Sequence, residues 1–93
     1  MNPVAFLSAF LLKIASRFVH PIVAKQHFEK HREEFPDLTT TEEYTERAAK
    51  VMKSSSPDVI RWNEGDRVIH FNRLTGEKVI ANKEGRIISF YRV

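Results

Sequence analysis

The sequence predicts an α+β fold, with N-terminal helices packed on one face of a four-stranded antiparallel meander sheet. Three observations carry this. Apolar residues recur at three-and-four spacing up to about residue 53 and alternate after Asp58. All three glycines fall between the alternating runs, where positive φ is cheap. The links between those runs are short, so neighbouring strands must be antiparallel.

Pro3 suits the first turn of a helix. Leu7, Phe10, Leu11, Ile14 and Phe18 then form a wide apolar stripe, which predicts an amphipathic helix over residues 1–20. Lys13 and Arg17 interrupt this run well short of the roughly 20 apolar residues that a spanning helix needs. No positive charge precedes it, as a secretory signal would require. The helix is expected to cover the core, with membrane-surface binding as the alternative. His20-Pro21 breaks it, because a residue before proline avoids the helical region.

A second helix is expected from Pro21 to about Glu34, anchored by Ile22, Phe28 and Phe35 and ended by Pro36-Asp37. Thr40 and Glu43 offer a capping box for a third, running to Lys53. Its apolar face is Tyr44, Ala48, Val51 and Met52, and Lys50 and Lys53 suit its negative end. Ser54 to Pro57 is a loop. VIRWN, RVIHFN, EKVIAN and RIISFYRV then read as strands. In the last, alternation puts Ile88, Phe90 and Arg92 on one face and Ile87, Ser89 and Tyr91 on the other. Ile88 and Phe90 are the expected core residues. So short a chain cannot bury both sheet faces, so the second is expected to be polar.

A chain of 93 residues sets one domain, 1–93. The absence of cysteine excludes disulfides, thiolate nucleophiles and cysteine-ligated metal sites. The net charge is +3. Residues 59–93 hold seven bases against four acids, so the basic surplus lies on the strands. That is compatible with a polyanionic partner without demanding one.

The stretch KQHFEKHREEF, residues 25–35, carries the chemistry. His27 and His31 lie on one side of a helix, with Lys25, Lys30 and Arg32 around them. Three readings stay open. A polar helix face tolerates histidines. His27 and His31 with Glu34 have a metal-binding spacing, although Phe28 stands where a zinc protease carries its glutamate. The third reading is acid–base catalysis at a phosphate: flanking cations favour the neutral imidazole and hold the anion. RNA cleavage fits such a set, since a base can remove the 2′-hydroxyl proton without a metal. Ser89 and Tyr91 offer a hydroxyl and a ring to a phosphate and a base, and Trp62 and His70 raise the same question.

The order of these residues resembles a family. Lys30-His31, the stretch HFNRLTGEKVIANKEGRIISFYRV and its Ser-x-aromatic-basic end are similar to the C-terminal ribonuclease modules of colicin D-like and contact-dependent inhibition toxins. These sit within the broader barnase, EndoU, colicin and RelE-like nuclease group. The similarity runs from about Ala24 to Val93, making residues 21–93 a nuclease-like core. It implies a metal-independent endoribonuclease without a cofactor, acting on tRNA in the cytoplasm, delivered there into a target cell. A cognate immunity protein or antitoxin, of acidic character, is the implied inhibitor. By matching positions, His31 is the implied catalytic histidine and Lys30 its basic neighbour, and Ser89, Tyr91 and Arg92 line the cleavage site. The HFxKH pattern makes His27 the second proton-transfer group. Lys25, His70, Arg73 and Lys78 are the expected RNA contacts. The sequence departs from the pattern at Phe28, where a lysine is usual, at Pro36, where a glycine is usual, and over residues 3–20, which have no counterpart. The rival reading is a non-catalytic RNA- or protein-binding module of the same fold.

Overall fold

The computed structural model describes residues 17–93, so most of the expected first helix, with Leu7, Phe10, Leu11 and Ile14, lies outside them. Its last positions, 17–20, are not helical. Phe18 instead forms a parallel bridge to Ile87. The Ile87 amide donates to the Arg17 carbonyl at 2.8 Å, and the Val19 amide to the Ile87 carbonyl at 2.9 Å.

Helix α1 spans Pro21–His31 and runs into a 3-10 turn, Arg32–Glu34; helix α2 spans Thr41–Lys53. Four strands follow: β1 Val59–Glu64, β2 Arg67–Asn72, β3 Glu77–Asn82 and β4 Ile87–Arg92. They pair in sequence order, each antiparallel to the next. The α+β architecture and the meander are as the sequence predicts.

His20 caps α1, its Nδ1 accepting the Ile22 amide at 3.1 Å. Pro21 takes the first helical position, where an amide proton is not needed. Ala24, Phe28 and Phe35 are buried. Ile22, an expected anchor, is 59% exposed, because it lies about 160° round the helix from Ala24. The capping box of α2 forms: Thr40 Oγ1 accepts the Glu43 amide, and Glu43 Oε1 accepts the Thr40 amide, each at 3.1 Å. At the other end the Arg61 guanidinium donates to the carbonyls of Met52 at 3.0 Å and Ser54 at 2.7 Å. A cation thus closes the negative end of the helix.

Both helices pack on one face of the sheet. Val59, Val79, Ile87 and Phe90 meet Phe18, Phe28, Phe35, Tyr44, Ala48 and Val51 there. Tyr44 is at the centre, its ring 5.1 Å from that of Phe90 and 5.3 Å from that of Phe28. Its hydroxyl donates to the Phe90 carbonyl, and burial pushes its pKa up, so it stays a neutral donor. This satisfies an outward-facing carbonyl of edge strand β4.

The core alternation in β4 departs from the expected one. Ile80 pairs with Ser89 and Ala81 with Ile87, so Ile88 is a one-residue bulge. The extra residue makes Ile87 and Phe90 the buried pair and leaves Ile88 half-buried. Ser89 and Tyr91, on the far side of the bulge, keep their place on the second face. That face is mixed rather than wholly polar. Register puts Ile60, Trp62, Ile69, Phe71, Ile80 and Tyr91 on it, with Glu64, Arg67, Lys78, Asn82 and Ser89. Ile69 is 1% exposed, so these side chains pack on one another. Among the described residues, no helix is long and apolar enough to cross a membrane.

Candidate active site

The C-terminal end of α1 lies against edge strand β4. His27 and His31 are one turn apart, and their rings stack at 5.9 Å. The His31 ring also stacks on that of Tyr91, at 5.6 Å and 26° between planes. Phe18 stands behind His27 at 6.0 Å. A row of four rings therefore runs from the core round the edge of the sheet: Phe18, His27, His31, Tyr91. Beyond it, Lys78 Nζ lies 5.8 Å from the Tyr91 ring centre, because Lys78 and Tyr91 are register partners on the second face.

His31 is oriented by Glu34. The Nδ1···Oε2 distance is 2.6 Å. The other carboxylate oxygen accepts the Arg92 amide at 2.7 Å. Burial pushes the Glu34 carboxyl up, but the Arg92 amide and the His31 bond outweigh it and hold the group below the usual carboxylate range. An ionised carboxylate only accepts, so His31 Nδ1 carries the proton and donates. In the neutral ring that leaves Nε2 with a free lone pair. The His31 side chain is 14% exposed, so the ring is held on most sides.

His27 differs. Its Nδ1 is buried without a hydrogen-bond partner among the described residues. Burial, then the charges of His31 and Lys30, push its pKa down. It is therefore neutral at physiological pH.

The other expected site residues divide. Ser89 shares the second face with Tyr91, two residues away. Lys30 is exposed on α1 beside the histidines. Lys25 is exposed as well but lies about 160° round the helix from His27, off this cluster. The Arg92 side chain turns to the core face: Nη1 donates to the Glu34 carbonyl at 2.9 Å, Nη2 is 3.8 Å from Glu77, and the guanidinium lies 4.9 Å over Phe35. Its direct role toward a phosphate gives way to a structural one. His70 is also on the core face, accepting from Arg61 Nε at 2.8 Å, with its pKa lowered by burial and by Arg61. Arg73 is paired with Asp58 at 3.1 Å, by the opposite edge strand. Neither His70 nor Arg73 joins His31, so their expected RNA contacts are not part of this cluster.

No protein-family model matches the chain, and no curated protein matches it in sequence. The site is therefore read from its own geometry. Among the described residues, no group of three or more His, Cys, Asp or Glu side chains is placed to hold a metal ion. The residue that sequence reasoning under-used is Glu34, weighed there only as a third metal ligand. Its spacing of three from His31 was the available signal. Its contact with Arg92, 58 positions away, was not.

Proposed function

We propose that the protein is a toxin-type, metal-independent endoribonuclease that cleaves RNA, tRNA first among its substrates, by attack of the ribose 2′-hydroxyl on the adjacent phosphate. The observation that carries this reading is the setting of His31, whose ring is bonded to the Glu34 carboxylate on one side and stacked on Tyr91 on another.

In this reading His31 Nε2 takes the 2′-hydroxyl proton. The 2′-oxygen–phosphorus bond forms, the phosphorus–O5′ bond breaks, and a proton passes to the leaving oxygen. The Glu34 carboxylate balances the charge His31 acquires, as the third member of a catalytic triad does. Lys30 and Lys78 offset the extra negative charge of the phosphorane, and Ser89 donates a hydrogen bond to it. Tyr91 stacks on a flanking base. His27, behind His31, is the second proton-transfer group and donates to the leaving oxygen from its protonated form, the minor form at physiological pH because burial lowers its pKa. Arg92 acts through its amide, which fixes Glu34. An acidic cognate inhibitor is the matching partner, and the cytoplasm of the target cell is the site of action.

The test is incubation of total RNA with the purified protein in EDTA, beside His31→Ala. The expected result is fragments with 2′,3′-cyclic phosphate and 5′-hydroxyl ends from the unaltered protein alone. RNA left equally intact by both, tRNA included, overturns the reading. One observation favours the non-catalytic alternative, an RNA- or protein-binding module: the aromatic second face offers a docking surface that needs no cleavage. Growth separates the two, since a ribonuclease arrests a host lacking the inhibitor and a binder does not.

A further inference from the structure

We propose that the second face of the sheet is a platform for single-stranded RNA, on which Tyr91 and Trp62 stack unpaired bases and Lys78 holds the phosphate chain between them. The inference rests on the ribonuclease reading, because it leads the bound strand to His31. It adds a substrate class: an unpaired strand rather than a duplex.

Register sets Ile60, Phe71, Lys78 and Tyr91 in one row across the four strands, and Trp62, Ile69, Ile80 and Ser89 in the next. Tyr91 is on edge strand β4 and Trp62 on the opposite edge strand β1, one register row away. Lys78 lies between them. Its Nζ lies 5.8 Å from the centre of each ring, and it forms no ion pair among the described residues. Phe71 braces Trp62 edge-on at 6.4 Å, and Ile69, 1% exposed, is the floor beneath. Both rings are thus held in place while Trp62 and Tyr91 keep part of their surface open. Helices α1 and α2 lie on the opposite face.

Two fixed rings with an unpaired ammonium between them match a nucleotide chain. Bases of any sequence have a π face, and each linkage between them carries one negative charge. Four-stranded sheets that stack two or three bases on open-face aromatics are a recurrent solution for single strands. A duplex keeps its bases stacked on one another and has none to offer. An apolar protein partner meets an ammonium at the centre of the face and has to desolvate it. On this face Lys78 and Arg67 outnumber Glu64, whose carboxylate accepts the Trp62 indole N–H at 3.3 Å, so charge complementarity favours RNA. Direction follows from the row of rings: a base on Tyr91 leaves its own sugar and phosphate beside His31, 5.6 Å away ring to ring.

Trp62 is the one tryptophan of the sequence, so its fluorescence reports the platform without a label. The full chain carrying His31→Ala is titrated with a 2′-deoxy octanucleotide, which has no 2′-hydroxyl to react. The same strand annealed to its complement is the second arm, and Lys78→Ala and Tyr91→Leu, checked for folding by circular dichroism, are the third. The expected result is saturable quenching by the single strand, about tenfold weaker binding of the duplex, and about tenfold weaker binding by each variant. Unchanged Trp62 fluorescence, equal binding of the duplex, or variants that bind like the parent overturn the proposal. So does a doubled mass in sedimentation without oligonucleotide, which assigns the face to a second copy. Cleavage by the unaltered protein is read separately. RNA cut without Trp62 quenching removes this inference and leaves the ribonuclease reading. Quenching without cleavage removes the ribonuclease reading and leaves a single-strand binder.

Discussion

Glu34 serves two elements at once, taking His31 on one oxygen and the Arg92 amide on the other. Its replacement by glutamine keeps the shape and removes the charge. In the proposed reaction, Glu34→Gln lowers kcat by about a hundredfold or more with KM little changed, as loss of a triad carboxylate does. Steady-state cleavage of a short fluorogenic RNA measures both. His27 and His70 make a separate prediction about stability. Burial lowers both pKa values, with His31 and Lys30 adding at His27 and Arg61 at His70. The unfolded chain binds these protons first, so stability is fully present above the unfolded value near 6.5 and is lost as pH falls below it. The thermal midpoint is expected to drop between pH 7 and 5.5. His70→Gln, which keeps an acceptor for Arg61, is expected to flatten that drop in calorimetry.

At the scale of elements, the ends of α2 are held by side chains that the sequence shows unequally. The capping box is local, and Thr40→Ala is expected to cost about 1 kcal/mol in urea unfolding. The Arg61 cap at the other end reaches in from β1. Removing its charge-assisted bonds by Arg61→Ala is expected to cost about 2 kcal/mol in the same assay. The turn between β2 and β3 carries Gly76 at φ +78°, where an added Cβ would stand 2.7 Å from the Val93 carbonyl. Gly76→Ala is thus strained in its backbone and blocked in space. It is expected to destabilise by more than the roughly 1 kcal/mol that separates glycine from alanine in compatible settings. The bulge at Ile88 belongs to this scale too. Neither propensity nor alternation marks it, since Ile87 and Ile88 are equally apolar; only pairing with β3 decides which one is buried.

For the whole molecule, Lys30 and Lys78 are the cations beside the row of rings round β4, while Arg61, Arg73 and Arg92 are engaged elsewhere. Cleavage is expected to persist in EDTA and to weaken steeply as salt rises from 50 to 200 mM, because phosphate contacts release counterions. A cleavage series at graded salt, run on one RNA, tests that. The elements after Pro21 and the turn glycines were legible in the sequence because their signals are local: proline, a capping box and a change of period. The site was legible in part. His31 and Tyr91 were paired by resemblance, and the structure brings their rings together. Lys25 and Arg73 were grouped with them by charge and His70 by its place on a strand, and neither signal says which way a side chain faces. The second face was read in part: polar residues were expected and Glu64, Arg67, Lys78, Asn82 and Ser89 lie there, but its apolar middle was not foreseen. There Trp62, Ile69, Phe71 and Ile80 pack on each other across the sheet.

By itself the sequence determined the order of helices and strands, their antiparallel pairing and the basic surplus, since each follows from residues near one another along the chain. Tertiary structure alone decided that Glu34 faces both His31 and Arg92, that Arg92 turns inward, and that Lys78 lies between two rings. Those are contacts between residues brought together by strand register and by the docking of α1 on β4. Register depends on a single bulged residue, and no local signal along the chain specifies it.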